Sequence, residues 1–146
     1  MSSIFIAFCF IKTVSRNSKF LNRTAVYCVS ADENEFRELN YKGFTRNSET
    51  LIVDFKRNSI MLMIERYVYH QNAEYLSLIQ TVLLSFPQTD SDHVPEDLSY
   101  TFPLQIYSAP AVTNSYKFND TVGRQSFMLF KKLYNPVTGQ NGIESV

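Results

Sequence analysis

The chain has 146 residues, 45% of them hydrophobic and 19% charged, with 14 Lys and Arg against 14 Asp and Glu. This composition excludes a chain that is disordered throughout, and the length suits one domain with a sizeable core. A formal net charge of zero also excludes recruitment of nucleic acid or an anionic membrane by bulk electrostatics, so such binding would need a local basic patch.

The first element is an apolar run at residues 4–11, which predicts a buried strand within residues 2–14. No Lys or Arg precedes the run and no Ala-x-Ala motif follows it, which argues against a signal peptide, and it is too short to span a bilayer. We therefore expect no membrane span and a cytoplasmic or nuclear location. A second strand is predicted over residues 25–30. Cys9 and Cys28 lie in these apolar segments, which favours buried free thiols.

Residues 50–86 are expected to organise the fold. Alternate residues of 51–55 and 60–64 place Leu, Val, Phe and Ile side chains on one face, on either side of a polar four-residue turn, which predicts a β-hairpin. After residue 70 the apolar residues recur at helical spacing. Asn72 suits a helix N-cap and Pro87 a helix end, so an amphipathic helix is predicted over residues 72–86.

The remaining segments are less regular. Residues 32–40 fit a helical turn and 41–44 a strand, whereas 102–112 predict an edge strand because its two prolines cannot donate to a ladder. Residues 125–134 fit a second helix or a strand. The predicted fold is a single α+β domain over residues 1–136, followed by a polar tail at 137–146. Its sheet is mostly antiparallel, with a barrel-like form as an alternative, and the main helix packs on it.

The sequence shows no catalytic motif and no motif that binds a metal or a cofactor. His70 and His93 are far apart in sequence and neither cysteine lies in a CxxC pair, so no zinc site is indicated. The acidic segment 89–97 lacks the glycine and the final Glu of a calcium-binding EF-hand loop. We expect a protein that is not an enzyme and has no cofactor, metal or small-molecule substrate.

The surplus of apolar residues predicts a protein interface. Met61 and Met63 fall on the opposite face of the predicted hairpin from Ile60 and Leu62, and the predicted helix carries more than one apolar stripe. The main helix alone would leave one sheet face uncovered, so a partner protein or a second copy of the chain is expected to cover it. The alternative is that residues 125–134 and the loops cover this face and complete a monomeric core. This favours an interaction or assembly subunit, with an oligomer as one form. The predicted interface residues are Ile52, Met61, Met63, Leu76, Leu78 and Leu84.

The alternative prediction is a module that binds single-stranded nucleic acid. Basic loops with interleaved aromatic residues are typical of such modules, because the cations contact phosphates and the rings stack on bases. The candidate residues are Lys12, Arg16, Lys19, Arg23, Tyr41, Phe44, Lys56 and Arg57.

Overall fold

The computed structural model describes residues 3–30, 35–46, 48–85, 93–98, 101, 103–119 and 121–145. Almost all of the regular structure in these ranges is β. The elements are β1 Ser3–Ile11, β2 Ser15–Arg16, β3 Phe20–Ser30, β4 Glu35–Phe44, β5 Ile60–His70, β6 Ala73–Ser85, the one-turn 3-10 helix Pro95–Asp97, β7 Leu104–Tyr107, β8 Lys117–Asn119, β9 Arg124–Ser126, β10 Phe130–Asn135 and β11 Gln140–Ser145.

Five strands close into a barrel. The neighbours run β3-β4-β6-β5-β1, and β1 returns to β3 through the pairs Phe10–Val26 and Ile11–Ala25. Every pair is antiparallel except β4 with β6, which is parallel. If the barrel strands β1, β3, β4, β5 and β6 are numbered one to five along the chain, their order around the barrel is 1-2-3-5-4-1. This Greek-key order in a five-stranded barrel is that of the OB-fold.

Strand alternation explains which side chains fill the barrel. Successive residues of a strand point to opposite faces, so every second residue of β1 and β5 enters the interior. Met61, Met63 and Glu65 of β5 are fully buried there. The apolar residues that share this interior are Phe5, Ala7, Cys9, Ile11, Leu21, Ala25, Tyr27, Leu39, Tyr41, Ile52, Phe55, Met61, Met63, Leu76 and Leu78. The two cysteines are free and buried, as predicted.

Several elements pack on the outside of the barrel. Leu98, which follows the 3-10 helix, packs against Phe10 and Val26 in a second apolar cluster. β7 pairs with the N-terminal half of β1 and is one edge of the sheet, and β2 is the other. The β10–β11 hairpin contacts β5, and β8 and β9 form a separate hairpin. No helix within the described ranges is long and apolar enough to cross a bilayer.

The predicted α+β class is wrong, because the segment predicted as the main helix is strand β6. Both faces of β6 carry apolar residues, and the period of a near-continuous apolar run does not distinguish a strand from a helix. Gln71 and Asn72 have positive φ angles of 49° and 60°. They form the two-residue turn of a β-hairpin, in which both central residues adopt this conformation. Asn72 is therefore a turn residue and not a helix cap.

The predicted hairpin over residues 51–64 is also wrong. Residues 51–55 form no ladder, and only Leu51 makes an isolated bridge, to Gln80 of β6. β5 instead pairs with β1 and β6. The face of β5 that was predicted to point into the core carries Ile60, Leu62 and Ile64. In the structure the opposite face, with Met61 and Met63, points into the barrel.

The C-terminal segments are strands where the sequence left two alternatives. Residues 125–134 contain the last two residues of β9 and most of β10, so no second helix forms there. Residues 137–146, predicted as a polar tail, include β11, which pairs with β10 along its whole length. The capping arrangement considered for residues 32–40 begins outside the described residues, and the part from Glu35 onward is β4.

Candidate nucleic-acid interface

One end of the barrel is basic. β1 and β4 finish there and β3 and β5 begin there, and we call it the lower end. The segments 12–23 and 42–57 meet at this end, where the Thr45 amide donates a hydrogen bond to the Lys19 carbonyl at 3.0 Å. Together the two segments carry eight Lys and Arg against two Asp and Glu. The fold therefore concentrates positive charge locally in a chain whose net charge is zero.

Two phenylalanines and a lysine lie together on the outer face beside this end, and we call them the aromatic–lysine site. Phe20 and Phe44 are directly opposite in the β3–β4 register, with ring centroids 6.3 Å apart at an interplanar angle of 65°. The Lys42 Nζ atom lies 4.7 Å from the Phe20 centroid and 5.2 Å from the Phe44 centroid. A cation held against aromatic faces is favourable by about 0.5–1 kcal/mol at an exposed site.

The barrel core does not need these two rings. Their neighbours Leu21 and Gly43 form the facing pair that points inward, and a Cβ atom on Gly43 would lie 2.8 Å from Leu78 Cδ1. The inner layer is therefore already full at this level. Phe44 remains 51% exposed and Phe20 is half-buried. The exposed surface of these two rings is therefore available to a ligand.

The outer face continues along β4 above the aromatic–lysine site. Asn40 and Glu38 follow Lys42 on this face at every second position. Lys12 forms an ion pair with Glu38, which carries its ammonium group from the lower loop onto the middle of the face. The Thr13 and Thr24 hydroxyls share a hydrogen bond of 2.7 Å beside it. The face thus presents the Lys42 cation, the Lys12–Glu38 ion pair and neutral hydrogen-bonding groups.

Two other residues predicted to bind nucleic acid have structural contacts. Arg16 forms an ion pair with Asp54 and donates to the Phe55 carbonyl at 3.2 Å, which fastens the 50–59 segment to the lower end. Tyr41 points into the barrel, where its hydroxyl donates to the Thr13 carbonyl at 2.8 Å. Burial raises the pKa of the Tyr41 phenol. The Tyr41 ring is therefore not available to stack on a base.

The remaining candidates of this set are at the lower end. Lys19, Arg23, Lys56 and Arg57 are all exposed there. The set predicted from the sequence omitted Phe20, which the β3–β4 register brings opposite Phe44, and Lys42, which lies two residues before Phe44 on β4 and so shares its face.

The residues predicted as a protein interface are mostly inside the barrel. Ile52, Met61, Met63, Leu76 and Leu78 belong to its interior cluster and are at most 9% exposed. Leu84 alone among the six is exposed, at 48%. The apolar strip inferred from the sequence is therefore a core layer in this fold.

Two glutamates lie in the opposite, upper end of the barrel. Glu65 is fully buried, and neither carboxyl oxygen has a hydrogen-bond partner among the described residues. Burial raises the pKa of Glu65 well above its usual range, and the nearby Glu74 charge adds to this rise. The Tyr27 hydroxyl donates to both Glu74 oxygens, at 3.0 and 2.9 Å. Burial also raises the pKa of Glu74, against the opposing effects of the Tyr27 hydrogen bond and the Arg37 charge.

The described part of the chain contains no group of three or more His, Cys, Asp and Glu placed to hold a metal ion. No family model matches the chain, and no curated protein or solved structure matches it. The functional argument therefore rests on the geometry and charge of the barrel surface.

Proposed function

We propose that this protein binds single-stranded nucleic acid on the outer face of β3 and β4. The observation that carries the proposal is the aromatic–lysine site, in which Lys42 lies against both Phe20 and Phe44. The strand order supports it, because five-stranded barrels of this order bind oligonucleotides or oligosaccharides on the face of their second and third strands, which are β3 and β4 here.

Each component of the site matches a part of the ligand. The Phe20 and Phe44 rings offer flat apolar surfaces on which bases stack, and this stacking contributes about 1–3 kcal/mol per base. Lys42 is placed to contact a phosphate of the strand, with Lys19 and Arg46 nearby at the lower end, whereas the Lys12 ammonium group is paired with Glu38. These cations favour a polyanion over a neutral oligosaccharide. Because every base has a π-face, the site should tolerate many sequences.

Fluorescence anisotropy with a labelled oligothymidylate of about 15 nucleotides tests the proposal. If four phosphates are contacted, the association constant falls about 50-fold when salt rises from about 50 to about 200 mM. Unlabelled oligonucleotide should compete, whereas an uncharged oligosaccharide should not. If no anisotropy change occurs at the low salt concentration with protein in excess, the proposal is wrong. A salt-independent signal would equally contradict phosphate contacts.

A protein partner, here a second copy of the chain, is the second candidate function. The observation in its favour is the exposed apolar surface of the C-terminal segments, which lies outside the predicted strip. The exposed residues include Leu104, Ile106, Phe118, Phe127, Met128 and Phe130. Sedimentation equilibrium at micromolar concentration should then show species heavier than the 16.9 kDa monomer. A clean monomer would contradict self-association.

Both candidates are binding functions, so the proposal keeps the chain non-enzymatic and without a cofactor. The cytoplasmic or nuclear location inferred from the sequence stays a prediction. Phe118→Ala separates the two candidates, because it removes an exposed ring of β8 and leaves the aromatic–lysine site intact. It should weaken self-association and leave oligonucleotide binding unchanged.

A further inference from the structure

A short segment outside the barrel, residues 93–98, covers part of the outer sheet face. Leu98 alone among these six residues is buried, at 8% exposure, whereas Val94 is 48% exposed. Leu98 packs against Phe10 and Val26, and the partly buried residues around this cluster are Phe8, Phe36 and Ile60. One side chain of the segment thus covers an apolar surface to which β1, β3, β4 and β5 all contribute.

The covered surface continues the face that is proposed to bind nucleic acid. Val26 lies on the same side of β3 as Phe20, because the two residues are six positions apart on one strand. At the usual rise of a strand, this separation is about 20 Å. Phe10 is the register partner of Val26 on β1. A nucleic-acid strand that follows β3 upward from the aromatic–lysine site therefore meets Leu98.

Three phenylalanine rings lie in the covered surface, and we call them the covered aromatic surface. Phe8 and Phe10 come from alternate positions of β1, and Phe36 comes from β4. Such rings can stack on bases, as proposed for the aromatic–lysine site. However, Phe10, which packs against Leu98, is only 5% exposed. The outer face thus carries further aromatic rings that a base cannot reach while the segment is in place.

Polar contacts hold the segment in its folded form and attach it to β6. Asp97 Oδ2 accepts a hydrogen bond from the Val94 amide at 2.9 Å and lies 3.5 Å from His93 Nδ1. His93 Nε2 shares a hydrogen bond with the Ser85 hydroxyl at the end of β6. Water can replace such contacts at a partly exposed site at little net cost. Because residues 93–98 contain no strand, their displacement breaks no ladder of the barrel.

We propose that residues 93–98 form an autoinhibitory strap. The strap closes the upper part of the nucleic-acid face, and a long single strand reaches the covered aromatic surface only by displacing Leu98. A short strand uses the aromatic–lysine site and the lower end and leaves the strap in place. This inference rests on the proposed single-strand binding, and it adds a length-dependent regulation of the same face.

Competition anisotropy with oligothymidylates of about four and about 15 nucleotides tests this inference. Leu98→Ala weakens the apolar contact that the longer strand must displace, so it should raise the affinity for that strand by about fivefold. The affinity for the shorter strand should not change. His93→Ala, which removes the hydrogen bond with Ser85, should have the same selective effect. Val94→Ala is the matched control, because it shortens an exposed side chain of the same segment.

Proteolysis of the wild-type protein gives a readout that does not depend on affinity or on the folding of a variant. Glu96 is an exposed residue of the strap, and a Glu-specific protease cleaves after it once the segment is displaced. Cleavage at this site, followed by mass spectrometry, should be faster with the longer strand bound. The shorter strand should leave the rate unchanged.

The outcomes separate this inference from the proposed function. If Leu98→Ala binds both strands as wild type does, or if the longer strand protects Glu96 from cleavage, the strap is wrong while single-strand binding stands. A loss of affinity for the longer strand in Leu98→Ala would assign Leu98 to the binding surface and equally contradict the strap. If wild type binds neither strand, the proposed function itself fails.

Discussion

Phe20 and Phe44 face each other across β3 and β4 on the outside of the barrel, with their ring centroids 6.3 Å apart. Their strand neighbours Leu21 and Gly43 form the corresponding inward pair. One cross-strand register therefore places a core contact on one side of the sheet and an exposed aromatic pair on the other. Lys42 adds a cation beside the rings, which gives the outer pair the chemistry of a nucleic-acid contact.

Lys42→Gln should reduce the salt dependence of oligonucleotide binding. A single phosphate contact contributes about 0.7 to the slope of log K against log salt for single strands, so the slope should become shallower by about that amount. Lys117→Gln is the matched control, because Lys117 is an exposed lysine of β8 outside the proposed face. Anisotropy titrations at several salt concentrations measure both slopes. Equal slopes for Lys42→Gln and wild type would exclude a phosphate contact at Lys42.

Met63→Ala should strongly destabilise the fold, because the Met63 side chain is fully buried in the barrel. Truncation of a buried methionine costs about 2–5 kcal/mol of unfolding free energy. Leu84→Ala is the control from the same predicted interface, and it should cost less than about 1 kcal/mol because Leu84 is 48% exposed. Urea denaturation measures both values. A small effect for Met63→Ala would instead favour an exposed strip.

Glu65 should make the protein less stable as the pH rises. Burial raises the pKa of this carboxyl in the folded state, so from about pH 4.5, its ordinary value, upward the folded state holds a proton that the unfolded state has lost. The stabilisation that comes from protonated Glu65 is therefore complete below about pH 4.5. It is lost as the pH rises toward the pKa of Glu65 in the folded state, at up to about 1.4 kcal/mol per pH unit. Burial of Glu74 acts in the same direction.

Glu65→Gln removes this titration, so its stability should fall less than that of wild type between about pH 5 and pH 8. The readout is the difference in slope, since a buried glutamine amide also changes the absolute stability. Glu96→Gln, an exposed substitution on the 3-10 helix, should follow the wild-type slope. Thermal denaturation across this pH range provides the comparison. If Glu65→Gln and wild type have parallel profiles, the buried carboxyl does not govern the pH dependence.

The sequence predicts the positions of several strands but not which strands pair with one another. β1 was predicted from its apolar run, and the edge strand predicted at 102–112 contains β7. Residues 51–55 alternate like a strand, yet they lie along the edge of β6, where the Thr81 amide donates to the Leu51 carbonyl. Alternation measures amphipathicity and does not show whether a partner strand exists. The parallel β4–β6 pair joins segments far apart in sequence, so no local pattern reveals it.

The helix predicted for β6 failed for a related reason. Leu76 and Leu78 enter the barrel while Tyr75 and Ile79 are partly covered on the other face, so apolar residues occur at helical and strand spacings together. The turn residues were the better signal. A Gln-Asn pair can adopt positive φ at both positions, but it is a weaker hairpin signal than Asn-Gly.

The candidate site was only partly predictable. The lower end brings together the basic residues of loops that are distant in sequence, and their binding of nucleic acid stays a prediction. Tyr41 and Phe44 were expected to act together, yet residues three apart on one strand point to opposite faces. Once residues 41–44 are assigned to a strand, this alternation alone places Tyr41 and Phe44 on opposite faces of the sheet. The pairing of Phe44 with Phe20 depends on the register of β3 and β4, which the sequence does not show.

The loss of affinity in Phe44→Ala, relative to Phe118→Ala, tests the central claim most directly. The two rings have nearly equal exposure, 51% and 52%, so the substitutions remove similar apolar surface at different places. If β3 and β4 bind the strand, Phe44→Ala should weaken oligothymidylate binding by about 5- to 150-fold, which corresponds to about 1–3 kcal/mol for one base stack. Phe118→Ala should match wild type. Equal affinities for the two variants, or a larger loss in Phe118→Ala, would contradict the assignment of this face.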